Sequence, residues 1–189
     1  MELVLSIFIG VGLSAAVGFR IFIPFLIASI ASYTGQLDLS TYFSWIGTLP
    51  ALIAFSVATV VEIVAYYVPW LDNVLDTIEH PLAVFAGIVL SGSVISDISP
   101  FLKWAFAIIA GGGIAGTIQV ATGLTRLKSS AVTGGIANPV VSTVEAGSSI
   151  ALSLIAIFIP VAALIIVSLL LIWVTTKFYK KFFLRKEES

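Results

Sequence analysis

Long apolar runs separated by short polar stretches dominate the chain. Runs of this length are typical of helices that cross the roughly 30 Å hydrocarbon core of a bilayer. The apolar runs occupy residues 3–33, 46–68, 82–98, 101–124 and 150–175. A further stretch, residues 129–149, is more polar, and we interpret it as a buried or broken crossing because irregular backbone at membrane depth needs protein or water around it. The pattern predicts about six transmembrane helices.

The first run is too long for one straight crossing. A helix over residues 3–33 would be about 46 Å long at the usual rise per residue, well beyond the thickness of the bilayer core. Gly18, Arg20 and Pro24 lie together within it, and proline and glycine both weaken a helix interior. We therefore expect the first crossing to break near these residues, as the fifth does within 129–149.

The segment 69–80 has apolar and acidic positions at helical spacing and is predicted to be a short amphipathic surface helix. Its ionisable face could hold a divalent cation through oxygen and imidazole ligands. The alternative is a solvated acidic face that pairs with Arg126 or Lys128. The residues of this candidate metal site are Asp72, Asp76, Glu79 and His80.

Composition supports the membrane assignment and narrows the chemistry. The chain is 59% hydrophobic and 10% charged with a mean hydropathy of +1.15, far from a soluble domain. It has no cysteine and a single histidine, and it lacks the motifs of zinc enzymes and serine hydrolases. We expect no enzymatic activity, no cofactor and no nucleic-acid partner. The expected partners are membrane lipid, a small solute or ion and, for so small a bundle, further copies of the chain.

Basic residues concentrate near the carboxyl end and predict the orientation. Lys177, Lys180, Lys181, Arg185 and Lys186 follow the last apolar run. Since cytoplasmic segments carry an excess of lysine and arginine, the tail 177–189 is predicted to be cytoplasmic. Six crossings would then place the amino terminus on the same side.

Short similarities suggest that a single domain, residues 1–189, contains an internal repeat. Residues 16–21 resemble 121–127, and residues 59–62 resemble 142–145. The halves would cover about 1–98 and 99–176. Because each half has an odd number of crossings, the fold expected is an all-α polytopic bundle with a 3+3 inverted-topology repeat. Repeats with broken helices are a recurring plan of transporters.

Four charged residues lie in or against apolar runs: Arg20, Glu62, Arg126 and Glu145. A charge at the bilayer centre costs at least about 2.5 to 3.5 kcal/mol on insertion scales, so each needs a partner or a task. They could line a cavity with Asn138 and Ser142, where the glutamates titrate or bind a cation and the arginines hold an anionic group. The structural alternative pairs Arg20 with Glu62, while Arg126 pairs with Glu145 or reaches the lipid headgroups.

Small residues recur along two of the runs. Gly10, Ser14 and Gly18 are spaced by four residues, as are Gly112 and Gly116. Close contact between helices is the expected reason, and the triple glycine beginning at Gly111 could instead open the helix locally.

Two groups of residues resemble one family. The first is Glu62…Pro69-Trp70-Leu71-Asp72…Pro81-Leu82-Ala83, and the second is Thr133-Gly134-Gly135…Asn138-Pro139…Ser142…Glu145. Together they resemble an uncharacterised bacterial integral-membrane family, domain of unknown function 4126, over nearly the whole chain. The resemblance implies a multi-pass protein of the bacterial cytoplasmic membrane and no established activity.

The repeated order of arginine and glutamate, set on an apparent inverted repeat, favours one function. We expect a small transporter or channel-like permease for a small or amphiphilic solute, coupled to protons or another cation. The competing hypothesis is a membrane scaffold or lipid-binding protein whose buried charges are structural.

Overall fold

The computed structural model describes residues 2–96 and 98–182, and within them the side chains of residues 69–74, 76 and 180–182 are not described. All regular elements of this part are helical. They are α1 (Glu2–Val17), α2 (Phe22–Tyr33), a 3-10 helix (Thr41–Gly47), α3 (Leu49–Ala65), α4 (Pro69–Val94), α5 (Pro100–Phe106), a π-helical segment (Ala107–Gly112), α6 (Gly113–Thr133), α7 (Asn138–Phe158) and α8 (Pro160–Phe182).

Among the described residues, four helices are long and apolar enough to cross a membrane. They are Thr77–Val94, Pro100–Thr133, Asn138–Phe158 and Pro160–Tyr179. The 3-10 helix and α3 together would make a fifth, bent by 64°. This is fewer than the six crossings expected, because the first apolar run is divided into α1 and α2, each of which is short.

The first run breaks where the sequence indicates. α1 ends at Val17 and α2 begins at Phe22, so Gly18 and Arg20 lie in the break. Pro24 lies in the first turn of α2, where its missing N–H would have had no acceptor within the helix. A second break, between α6 and α7, contains Gly134 and Gly135 with φ of 62° and 90°. These backbone angles favour glycine.

Two predicted boundaries are wrong. Residues 69–80 do not form a separate surface helix, since α4 continues through Pro81 as far as Val94. Prolines are tolerated inside membrane helices where neighbouring groups satisfy the freed carbonyl. The polar stretch 129–149 is not a crossing of its own: α7 joins its second half to apolar residues up to Phe158. Pro160 then begins α8, because proline cannot continue the hydrogen bonding of the preceding helix.

α1 forms the centre of the bundle. Its residues from Gly10 to Val17 are all buried, and it packs against α4, α7 and α8. The Ser14 hydroxyl donates to the carbonyl of Gly87 at 3.0 Å, which requires close approach of α1 and α4. A Cβ placed on Gly18 would lie 2.6 Å from Cβ of Ile118. The spaced small residues therefore serve helix contact, as expected.

The backbones of α4 and the π-helical segment approach each other closely at Gly87 and Gly111. A Cβ placed on Gly87 would lie 2.6 Å from Cβ of Ala115 and 2.7 Å from the carbonyl oxygen of Gly111. The triple glycine thus packs tightly at Gly111, whereas a Cβ on Gly113 would meet no atom within 4 Å.

This contrast gives a matched pair of substitutions. Gly87→Ala is expected to lower the free energy of unfolding by about 1 to 3 kcal/mol, because the methyl group overpacks the interface. Gly113→Ala should be neutral or stabilising, by up to about 1 kcal/mol, since alanine is the better helix former. Unfolding in detergent micelles followed by circular dichroism measures both. Equal stability of Gly87→Ala and the unchanged protein would contradict the packing described.

Candidate functional site

Five charged side chains are buried in the described part of the chain. Arg20, Glu62, Glu79, Arg126 and Glu145 are each no more than 5% exposed. Two of them, Arg20 and Arg126, lie over the aromatic ring of one buried tyrosine, Tyr66. We call this group, formed by Arg20, Glu62, Tyr66, Glu79, Arg126 and Glu145, the polar cluster.

Helical spacing explains how the segments deliver these side chains. α3 carries Thr59 and Glu62, and Tyr66 follows directly at its C-cap; the three residues are separated by three and four positions and are all buried. On α7, the buried residues Asn138, Ser142, Glu145 and Ser149 repeat at intervals of four, three and four. Residues at such spacings share one face of a helix. Each helix thus turns one polar stripe inward and leaves apolar side chains for the lipid.

Glu145 binds both arginines. Its Oε1 accepts a hydrogen bond from Nε of Arg126 at 3.1 Å, and its Oε2 pairs with Nη2 of the same residue. Nη2 of Arg20 lies 3.3 Å from that Oε2. Arg20 also donates to the hydroxyl and, at 3.3 Å, to the carbonyl of Ser142. One carboxylate therefore joins the break after α1 to α6.

Glu62 closes the amino end of α2. Its Oε1 accepts from the backbone N–H of Ile21 at 2.8 Å, and its Oε2 accepts from that of Phe22 at 3.2 Å. The first N–H groups of a helix have no partner within the helix, and a carboxylate suits the positive end of the helix dipole. The predicted Arg20–Glu62 ion pair is therefore replaced by a cap, while Arg20 pairs with Glu145.

One carbonyl near the carboxyl end of α1 also receives a hydrogen bond from α7. The hydroxyl of Ser149 donates to the carbonyl of Ala16 at 3.0 Å. Irregular backbone at membrane depth is tolerated only when its polar groups find such partners. Side chains of α3 and α7 thus bind backbone groups on the two sides of the break.

Tyr66 lies beneath both guanidinium groups. The Cζ atoms of Arg20 and Arg126 are 3.6 Å and 3.9 Å from the centre of its ring. The ring is 1% exposed, and its hydroxyl lies within interaction range of the Glu79 carboxylate without closing a hydrogen bond of standard length. Glu79 in turn accepts from Nε2 of Gln119 at 3.3 Å. Cation–π contacts of this kind strengthen when they are desolvated.

The remaining predicted site residues are placed as follows. Arg126 is buried and does not extend to the headgroups; its predicted pairing with Glu145 is confirmed. Asn138 donates to the hydroxyl of Ser130 at 2.9 Å, next to the break before α7. Ser142 touches Arg20 directly.

The proposed metal site is not assembled in the described part of the chain. The side chains of Asp72 and Asp76 lie outside the described residues. Glu79 is buried in the polar cluster. The ring of His80 packs against Gly123, since a Cβ placed on that glycine would lie 2.9 Å from the ring atoms Cε1 and Nε2. No group of three or more potential metal ligands occurs among the residues described.

Sequence reasoning missed Tyr66, Gln119 and the position of Glu79 in this site. Signals for the first two were present. Tyr66 follows Glu62 by four residues, and Gln119 precedes Arg126 by seven, so each shares a helix face with a charged residue already singled out. The burial of Glu79 had no such signal, since it depends on α4 continuing through Pro81.

Two apolar cavities reach the polar cluster from different sides. The α3/α4 cavity, of about 630 Å³, has Glu62 and Glu79 in a wall otherwise formed by residues such as Phe22, Val61 and Leu82. The α7/α8 cavity, of about 320 Å³, has Glu145 in a wall with Leu170. Each of the three glutamates of the cluster therefore contributes to the wall of an apolar cavity.

Comparison with known families finds the same family that the sequence motifs resemble. The model of one family, described as a domain of unknown function (DUF4126), matches residues 7–180. Comparison with curated proteins and with solved structures gives no match. The matched region contains the whole polar cluster and both cavities. The chain, an all-helical protein with several helices of membrane-spanning character, belongs to this family of unknown function.

Proposed function

We propose that this protein is a small permease that moves a small amphiphilic solute across the membrane, with its buried carboxylates coupling that movement to a proton or another cation. The observation that carries the proposal is the meeting of apolar cavities with the polar cluster. A cavity that is apolar over most of its wall and acidic at one place suits a solute with both kinds of surface.

The charge of the polar cluster supports coupling to a cation. The cluster contains two arginines and three glutamates, so it carries one excess negative charge when all five side chains are ionised. Buried charge without compensation is costly, and a bound proton or cation would remove the excess. Glu62 lies in the wall of the α3/α4 cavity and also caps α2, so it is our candidate for the coupling carboxylate.

The repeat hypothesis matches the segments that carry the two arginines, and these side chains lie close together. Arg20 belongs to residues 16–21 and Arg126 to residues 121–127, and both contact Glu145 and the ring of Tyr66. We propose that α1 and α2 act together as one broken crossing. With the bent pair that follows it and the four long helices, this makes six crossings in a 3+3 inverted arrangement, with both termini in the cytoplasm of a bacterial cell.

Flux through proteoliposomes tests the proposal. Vesicles loaded with the pH-sensitive dye pyranine would receive benzyltrimethylammonium or octanesulfonate, and the luminal pH would be followed. We expect a faster pH change than in protein-free vesicles, and a fall toward the protein-free rate for Glu62→Gln. Lys103→Gln is the matched control, because Lys103 binds Ser40 outside the polar cluster at 2.7 Å. Full coupled flux in Glu62→Gln would contradict the assigned role.

The second candidate is a scaffold whose buried charges only hold helices together. The engagement of both oxygens of Glu62 and both oxygens of Glu145 by protein groups favours it. It predicts that the unchanged protein gives no flux above protein-free vesicles and that Glu62→Gln lowers the thermal stability alone. Flux and melting measured on the same preparations separate the two functions.

A further inference from the structure

A basic pocket lies between α6 and α8, and none of its lining residues belongs to the polar cluster. It has a volume of about 410 Å³ and is lined by Leu124, Lys128, Trp173, Val174, Lys177 and Phe178 among others. In the described part of the chain, no acidic side chain lines it. The pocket thus combines an apolar interior with two ammonium groups.

The pocket lies near the end of the apolar part of α8, where lipid headgroups would surround a helix that crosses the membrane. The apolar part of α8 that could cross a membrane ends at Tyr179, and Trp173 and Lys177 lie in its last two turns. Tryptophan and lysine are enriched at this depth, where the hydrocarbon core gives way to headgroups. Nζ of Lys177 lies 4.1 Å from the ring centre of Trp173, which keeps the ammonium group beside the pocket.

The pocket continues into apolar space. Ala121, Thr125, Trp173 and Val174 line both this pocket and the α7/α8 cavity. A ligand with a charged head and a long apolar part could therefore place its head near the lysines and its chain along the neighbouring wall.

We propose that this pocket binds an anionic phospholipid, with Lys128 and Lys177 holding the phosphate and the apolar wall holding an acyl chain. Basic pockets between membrane helices are suited to acidic headgroups, because lysines attract the phosphate while the helices enclose the chain. A zwitterionic phospholipid has the same acyl chains but no net charge. Selectivity for the anionic lipid is therefore the property that the two lysines add.

Native mass spectrometry of the 189-residue chain in detergent tests this site. An equimolar mixture of dioleoylphosphatidylglycerol and dioleoylphosphatidylcholine would be added, and the retained lipids would be counted. We expect the unchanged protein to prefer phosphatidylglycerol. The double variant Lys128→Gln with Lys177→Gln should lose most of that preference, about thirtyfold for two lysines near the surface.

Two further variants make the result specific. Lys128→Arg with Lys177→Arg keeps both charges and should keep the preference. Lys103→Gln removes one positive charge elsewhere and should also keep it. Both lysines of the pocket are exposed, so circular dichroism should show unchanged folding in the double glutamine variant. Equal retention of the two lipids by the unchanged protein would overturn the proposal, as would an undiminished preference in that variant, which would place lipid selectivity outside the pocket.

Discussion

Glu145→Gln is expected to destabilise the folded protein by about 3 to 5 kcal/mol, the usual cost of removing one partner from a buried ion pair. The reason is that one carboxylate serves both Arg20 and Arg126, which are 1% and 3% exposed. Its loss leaves two buried positive charges without their common counter-charge. Thermal or denaturant unfolding in detergent, followed by circular dichroism, measures the effect.

Two controls separate loss of charge from loss of a hydrogen bond. Ser142→Ala removes one neutral partner of Arg20 and should cost only about 1 to 3 kcal/mol. The triple variant Arg20→Met, Arg126→Met and Glu145→Met removes all three charges. It should be more stable than Glu145→Gln, because apolar replacement of a whole buried ion network is often neutral or stabilising. A triple variant that is less stable than Glu145→Gln would show that the charges themselves hold the fold.

Tyr66→Leu is expected to lower the free energy of unfolding by about 2 kcal/mol or more, since the two cation–π contacts are lost from a desolvated site. Tyr66→Phe keeps the ring, and it removes a buried hydroxyl that closes no standard hydrogen bond. It should stay within about 1 kcal/mol of the unchanged protein. The difference between the two variants therefore reports the ring beneath the guanidinium groups.

The neighbouring tyrosine provides the matched control. Tyr67 is 50% exposed, and its hydroxyl bonds to Thr143 on an exposed surface at 2.9 Å. Tyr67→Leu should change stability by only about 0.5 kcal/mol, as surface substitutions usually do. The same unfolding measurement applies to all three variants. If Tyr66→Leu were no worse than Tyr67→Leu, the ring would carry none of the stabilisation assigned to it.

Much of the polar cluster could be predicted because charge in an apolar run is conspicuous. Arg20, Glu62, Arg126 and Glu145 were singled out for this reason, and all are buried together. Their partners could not be assigned in the same way. Arg20 is nearer in sequence to Glu62 than to Glu145, yet it pairs with Glu145, because α7 places that carboxylate beside the break after α1 while α3 places Glu62 at the start of α2.

The helix boundaries show the same division. The break near Gly18 follows from local chemistry, since glycine and proline act on the backbone of their own turn. The continuity of α4 through Pro81 does not follow from local chemistry. Whether a membrane helix continues through a proline depends on the partners that neighbouring helices offer to the freed carbonyl. For this reason Glu79, assigned to a surface helix, lies instead beside Tyr66.

The sequence by itself determined the apolar, membrane-like character of the chain, its helical class, the first break and four of the charged residues of the polar cluster. These depend on hydrophobic content and on the 3.6-residue period, which are properties of single segments. Only the tertiary structure decided that Glu145 serves two arginines, that Glu62 caps a helix and that Tyr66 lies beneath both guanidinium groups. Such contacts join residues as much as 125 positions apart, and their geometry is set by how whole helices pack.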